Sequence, residues 1–191
     1  QVFDAIRKAE PKKLLVIADG PRFPQEIEKC KAARAVVDTV DWDCKLLKNY
    51  SDTNITSPIR CSTGLNWAFS EVEEAIILED DCIPSQTFFS FCQRLLEKYR
   101  YDERVMHISG SNFSHEPLPI DASYCFSKYG TAWGWATWRR AWNHFDFEMK
   151  DWLVLREKDW IKSLHHTKSE QDYWSKVFNS CTLKNDPHWD Y

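Results

Sequence analysis

Three adjacent carboxylates, Glu79, Asp80 and Asp81, follow a short apolar run at 75–78 and precede Pro84. Adjacent carboxylates repel one another, and partial burial adds to the cost of their charge. A bound cation relieves both effects, and oxygen ligands favour Mg²⁺ or Mn²⁺ over zinc. Because Mg²⁺ commonly completes its shell with substrate phosphates, the triplet predicts a metal–diphosphate site. A solvated acidic turn is the alternative.

The position of the triplet in the predicted fold supports this interpretation. If the strand continues, Glu79 and Asp81 share one face and Asp80 takes the other; if the chain turns at Asp81, that alternation fails. A second apolar run, at 14–18, is followed directly by Asp19. The carboxyl ends of parallel strands meet at the edge of a sheet where ligands bind, so we expect Asp19 and the triplet there.

Two arginines lie where an anion could bind. Arg22 follows Asp19 and Gly20 in a predicted turn, and its guanidinium suits a phosphate. A solvated turn arginine is an equal alternative. Arg60 falls in the first turn of a predicted helix that begins near Ser57, where the helix dipole favours an anion.

Tryptophan is abundant, with ten residues, and four of them lie in the segment 133–142. Trp133 and Trp135 flank Gly134, and we predict that they form an aromatic wall for a sugar ring. Trp138 and Trp142 continue the helical spacing of Trp135 and fit a core stripe, so the segment predicts a helix.

Apolar periodicity and turn residues predict alternating helices and strands, which indicate an α/β sandwich with a largely parallel sheet in one domain. Predicted helices cover 1–10, 24–38, 57–69, 85–99, 133–142, 157–164 and 169–183, and predicted strands cover 13–19, 43–49, 74–81, 104–109 and 123–128.

Composition excludes several classes of protein. The net charge of −4 argues against a nucleic-acid partner. The longest clean apolar run has five residues, Leu14–Ala18, whereas a membrane span needs about 20. The five glycines form neither a Rossmann fingerprint nor a P-loop. The seven scattered cysteines include no C-x-x-C pair, which argues against zinc and fits reduced, buried thiols. Reduced thiols predict a cytoplasmic protein, either free in the cytoplasm or at the membrane periphery.

The stretch Ala75–Pro84 resembles the metal-binding strand end of GT-A nucleotide-sugar glycosyltransferases, whose motif is usually written D-x-D. Its Glu-Asp-Asp form is similar to that of inverting N-acetylglucosaminyltransferases. The stretches 14–22, 60–68 and 129–142 resemble further parts of that fold in the same order, and 188–191 resembles a Trp-Asp pair that carries the catalytic base. Ala132 replaces the first glycine of the family's G-x-G-W stretch, and the first strand of the fold has no counterpart.

The resemblance implies a three-layer sandwich with a mixed, mainly parallel sheet, in a single domain over 1–191 that is incomplete at both ends. It implies transfer of a hexosyl or N-acetylhexosaminyl group from a UDP-sugar to a carbohydrate or other hydroxyl acceptor, with inversion. It implies Mn²⁺ or Mg²⁺ on Asp81 and a catalytic base at Asp190. The implied nucleotide contacts are Asp19, Gly20, Arg22, Arg60, Glu79 and Asp80, and the implied acceptor contacts are Trp133, Gly134, Trp135 and Trp189.

Two other classes of protein fit part of the pattern. A carbohydrate-binding module would use the tryptophans to stack sugars, but it gives no reason for three carboxylates at a strand end. A metal-dependent phosphoesterase would use the same carboxylates, although that chemistry usually needs two metals and more ligands.

Overall fold

The computed structural model describes residues 1–113 and 122–183. The chain divides into two compact units, Gln1–Asn143 and His144–Tyr191. The prediction of one catalytic domain over 1–191 stays a prediction. The class is mixed α/β, with one parallel and one antiparallel sheet among the described residues.

The first unit begins with helix α1 (Val2–Ala9), which ends in a left-handed Glu10 just before Pro11. Strands β1 (Lys13–Ala18) and β2 (Lys45–Tyr50) pair in parallel, from Lys13 opposite Lys45 to Ala18 opposite Tyr50. Between them lie helix α2 (Ile27–Ala35) and flanking 3₁₀ turns at Pro24–Glu26 and Val36–Thr39. These elements confirm the predicted order over residues 1–50.

Helix α3 (Ser57–Glu71) packs closely on the parallel sheet. A Cβ added at Gly64 would lie 2.4 Å from a methyl group of Ile17 in β1, so the absence of a side chain allows this approach. Pro58 stands in the first turn, where its missing N–H costs nothing. The helix therefore begins as predicted.

The second sheet contains β3 (Glu74–Ile77), β4 (Ile108–Ser109) and β5 (Trp135–Trp138), in the order β3-β5-β4 with both pairings antiparallel. Helix α4 (Gln86–Lys98) covers it and begins after Ser85 as predicted. Its buried side chains form the core with Ile108, Ala136 and Trp138, and the Trp138 indole donates to the Leu96 carbonyl at 3.1 Å.

The expectation of a mainly parallel sheet is wrong for the described strands. An apolar run such as 75–78 predicts a buried strand but carries no information on the direction of its partner strand. Two predictions of elements are also wrong. The segment 133–142 is a strand followed by the short helix α5 (Arg139–Trp142), and 123–128 is irregular. All four side chains of β5 are buried because it is the central strand, so the alternation that marks a half-buried strand is absent.

The second unit is helical in its described part. Its helices are α6 (Trp152–Leu155), α7 (Trp160–Leu164) and α8 (Lys168–Leu183), with a 3₁₀ turn at Arg156–Lys158. Trp152 packs on Phe178 with 5.0 Å between ring centroids and donates to Asn179 Oδ1 at 3.1 Å. This aromatic cluster gives the unit a core of its own.

Candidate functional site

The acidic triplet lies in a turn that follows β3. The strand ends at Ile77, and the amide of Cys82 donates to the Glu79 carbonyl at 3.2 Å. The alternation rule for strands therefore does not apply at Asp81. The turn nevertheless brings carboxylate oxygens of Glu79 and Asp81 and the Cys82 sulfur within 4.8 Å of one another. Asp80 is exposed and lies outside this group of three.

The thiol of Cys82 is tied to the neighbouring carboxylate. Its Sγ donates to Asp81 Oδ1 at 3.5 Å. Burial raises the pKa of Cys82, and the hydrogen bond to Asp81 and the charge of Asp81 raise it further. The thiol is therefore in its protonated form at neutral pH, and the hard donors of the group are the carboxylate oxygens.

A pocket with a cavity volume of about 530 Å³ opens beside Asp81. Helix α4 supplies Phe88 to its wall, and the segments after β4 and before β5 supply Ser111 and Trp133. Asp81 is the one charged side chain among the described residues that line it. The lining consists of Leu78, Asp81, Cys82, Ile83, Pro84, Ser85, Phe88, Gly110, Ser111, Trp133 and Gly134.

The structure thus brings together Asp81 with Trp133 and Gly134, two of the predicted acceptor residues. Gly134 adopts a φ of 73°, a left-handed conformation that favours glycine, and this turns the chain sharply between Trp133 and Trp135. Trp133 is consequently 60% exposed at the pocket, whereas Trp135 is 5% exposed in the core. The Trp135 ring stacks on His107 at 4.8 Å, so the predicted wall of two tryptophans is wrong.

The predicted nucleotide contacts near β1 form a separate group that does not line this pocket. Asp19 caps the turn after β1, because its carboxylate accepts from the amides of Gly20 at 2.9 Å and Ile55 at 3.0 Å. A Cβ at Gly20 would lie 2.5 Å from the backbone of Thr53, so the two chain segments approach closely there. Arg22 pairs with Glu26, with 2.5 Å between Nη2 and Oε1, and Glu26 raises the pKa of Arg22.

The predicted anion contact at Arg60 is wrong. Its side chain is 8% exposed and donates to the carbonyls of Ala18 and Asn49 and to Asn49 Oδ1, the last at 2.5 Å. Burial lowers the pKa of Arg60, and the Asp19 charge opposes the shift. The N–H donors of its Nε and Nη2 are therefore committed to the ends of β1 and β2.

Arg34, which the sequence analysis did not single out, acts beside Arg60. It donates to the carbonyls of Asp19 at 2.9 Å and Ser51 at 2.6 Å, and its guanidinium lies over the Tyr50 ring at 4.7 Å. The two arginines together hold the carboxyl end of the parallel sheet. No sequence pattern indicates this role, because the acceptors are backbone carbonyls.

Two predicted residues, Trp189 and Asp190, lie outside the described residues, so their roles as acceptor contact and catalytic base stay predictions. Among the helices that the structure does describe, none has both the length and the apolar character that crossing a bilayer requires. No protein-family model, curated protein or solved structure matches the chain.

Proposed function

We propose that the protein transfers a sugar from a nucleotide diphosphate to an acceptor hydroxyl, with inversion and with a divalent metal. The observation that carries the proposal is the convergence of Asp81, from the acidic turn after β3, with Trp133 and Gly134 in one pocket. A three-layer GT-A sandwich is part of the same proposal, on the resemblance of the sequence to that family.

The donor chemistry of the turn fits Mg²⁺ or Mn²⁺. Carboxylate oxygens of Glu79 and Asp81 lie close enough to share one ion, and Asp81 faces the pocket. Bound there, the ion would neutralise charge on the donor diphosphate as the nucleotide leaves. The described pocket lining has no cationic side chain that could do so instead.

Side chains of this chain would carry the remaining roles. Trp133 would support the acceptor sugar, and Asp190, on the evidence of the sequence, would take the proton from the attacking hydroxyl. Asp19 would contact the nucleobase, although its carboxylate already accepts two backbone amides.

Calorimetry of UDP binding with and without Mn²⁺ tests the proposal. We expect metal and nucleotide to strengthen each other's binding by at least about tenfold, and Asp81→Asn to abolish that coupling. Asp43→Asn is the matched control, because that carboxylate is 93% exposed. Equal UDP affinity with and without Mn²⁺ would defeat the proposal.

A carbohydrate-binding module is the second candidate function, and the exposed Trp133 at a pocket favours it. Such a module would bind sugars but would show no metal-dependent nucleotide binding. An assay of phosphate release from an aryl phosphate in the presence of Mn²⁺ tests the phosphoesterase alternative, since phosphate release without sugar transfer would support it.

A further inference from the structure

The mouth of the pocket carries large apolar side chains that face water. Trp133 and Ile83 both line the pocket and are 60% and 59% exposed. Phe113, 56% exposed, does not line the pocket but meets the Trp133 ring edge-to-face, with 5.3 Å between centroids. Exposed apolar groups clustered at a pocket are typical of a binding surface.

Backbone contacts hold the segment of Trp133 in place. Ser111 Oγ donates to the Trp133 carbonyl at 2.9 Å, and the amide of Gly110 donates to the Gly134 carbonyl at 2.9 Å. With Phe113 against its edge, the indole is already positioned. Binding against it therefore costs little additional conformational entropy.

The charge of the pocket restricts what can bind there without a metal. Asp81 is its one charged side chain among the described residues, and Ser85 and Ser111 add hydroxyl groups. An anionic ligand would place its charge near Asp81, and the described lining holds no cationic side chain that could compensate, which is unfavourable. A neutral ligand rich in hydroxyl groups would instead donate to the carboxylate.

We propose that this pocket binds a neutral pyranose, with the apolar face of the sugar against Trp133 and its hydroxyls toward Asp81, Ser85 and Ser111. A pyranose has two kinds of surface, and the pocket offers a partner for each. The C–H face of the sugar suits the aromatic ring, and its hydroxyls suit the polar wall. The inference rests on the proposed function only where it identifies this sugar as the acceptor. The binding itself requires neither metal nor nucleotide.

Phe113 is a positioning residue in this arrangement. It contacts the Trp133 ring and not the pocket, so it acts on the sugar through the orientation of that ring. We expect Phe113→Ala to weaken sugar binding less than Trp133→Ala does. We expect Phe113→Tyr, which keeps the aromatic edge, to bind the sugar as well as the unsubstituted chain does.

The test uses saturation-transfer NMR of the full chain with methyl β-D-glucopyranoside or methyl β-D-glucuronide, in EDTA and without nucleotide. The glucoside presents a continuous C–H face, and the glucuronide differs from it only at C6, where a negatively charged carboxylate replaces the hydroxymethyl group. We expect a Kd of about 1–10 mM for the glucoside and at least about tenfold weaker binding of the glucuronide. Trp133→Ala weakens glucoside binding at least about tenfold, and Trp133→Phe keeps part of it.

Phe23→Ala is the matched control, because Phe23 is 62% exposed and lies outside the pocket lining. Equal binding of the two glycosides overturns the inference, as does no saturation transfer to the glucoside at about 20 mM. An equal loss in Trp133→Ala and Phe23→Ala also overturns it. Because the wild-type comparison needs no variant, a Trp133 variant that fails to fold leaves the test valid. Absence of metal-dependent UDP binding would defeat the proposed function and leave this inference standing.

Discussion

Arg60 donates from Nε to the carbonyl of Ala18 at 3.1 Å and so joins helix α3 to the last residue of β1. The same guanidinium donates to Asn49 in the neighbouring strand β2. One buried side chain therefore supplies the donors at the end of both parallel strands, directly beside Asp19. A residue expected to bind an anion instead holds the backbone that carries a candidate nucleotide contact.

We predict that Arg60→Ala lowers the free energy of unfolding by about 2–4 kcal/mol, because it removes the charged hydrogen bonds to the carbonyls of Ala18 and Asn49, although the Ser51 amide still donates to Ala18. Arg60→Lys recovers only part of the loss, since an ammonium group lacks the planar fork of the guanidinium. Urea unfolding measures the effect, with Arg94→Ala on the exposed side of α4 as control. A loss in Arg60→Ala no larger than in the control would contradict the role.

The sequence was most informative about elements whose signals are local. The apolar run of β1, bounded by Pro11 and by the Asp19–Gly20 turn, predicts that strand within one residue. Pairing is not local, and the antiparallel partner of β3 is β5, which lies far along the chain. Because both faces of β5 are buried, Trp135 and Trp138 both lie in the core. Their spacing of three residues also fits one face of a helix.

The residues of the candidate site also differ in whether a local sequence signal predicts their role. Residue type identified Asp81 and Trp133, because carboxylates at a strand end and a tryptophan beside glycine carry recognisable chemistry, and both line the pocket. Of the two tryptophans beside Gly134, only the exposed Trp133 lines the described pocket. The difference in exposure between Trp133 and Trp135 depends on the left-handed turn at Gly134. The roles of Arg34 and Arg60 depend on backbone carbonyls that only the fold brings near them.

A second prediction concerns two glycines that support the pocket. A Cβ at Gly110 would lie 2.3 Å from Phe88 and 2.7 Å from the Gly134 carbonyl, so Gly110→Ala costs about 1–3 kcal/mol through overpacking. At Gly134 the nearest atom would be 3.6 Å away, and the cost of Gly134→Ala, about 1–2 kcal/mol, comes from its φ of 73°.

Asparagine separates the two causes, because it tolerates a left-handed backbone better than alanine but is larger. We expect Gly134→Asn to be less destabilising than Gly134→Ala, and Gly110→Asn to be more destabilising than Gly110→Ala. Urea unfolding of the four variants measures both differences. If asparagine were more destabilising than alanine at both positions, or less destabilising at both, a single cause would operate at both glycines.

A third prediction concerns thiol reactivity. Cys92 is 0% exposed in the core, and burial raises the pKa of its thiol to about 12. Because the thiolate is the reactive form, we expect maleimide to modify Cys92 at least about a thousandfold more slowly than the exposed Cys125. Peptide mass spectrometry over a labelling time course measures both rates. Modification of Cys92 at the rate of Cys125 in the native protein would contradict its place in the core.

The last prediction concerns His107, whose Nε2 lies 3.0 Å from the Thr131 carbonyl while its ring stacks on Trp135. A carbonyl can only accept, so Nε2 carries the proton of a neutral imidazole. Burial lowers the pKa of His107, and the hydrogen bond to Thr131 opposes that shift. The unfolded chain, with a histidine pKa of about 6.5, therefore binds the proton first as pH falls. The free energy of unfolding should decrease as pH falls through about 6.5, by at most about 1.4 kcal/mol per pH unit for this one group, and level off below the folded pKa.

Urea unfolding between about pH 7.5 and 5 measures the slope of the free energy of unfolding against pH. His107→Gln keeps a donor for Thr131 but cannot titrate, so it should remove this part of the slope, whereas His144→Gln at an exposed site should not. An unchanged slope in His107→Gln would show that His107 is not a source of the pH dependence.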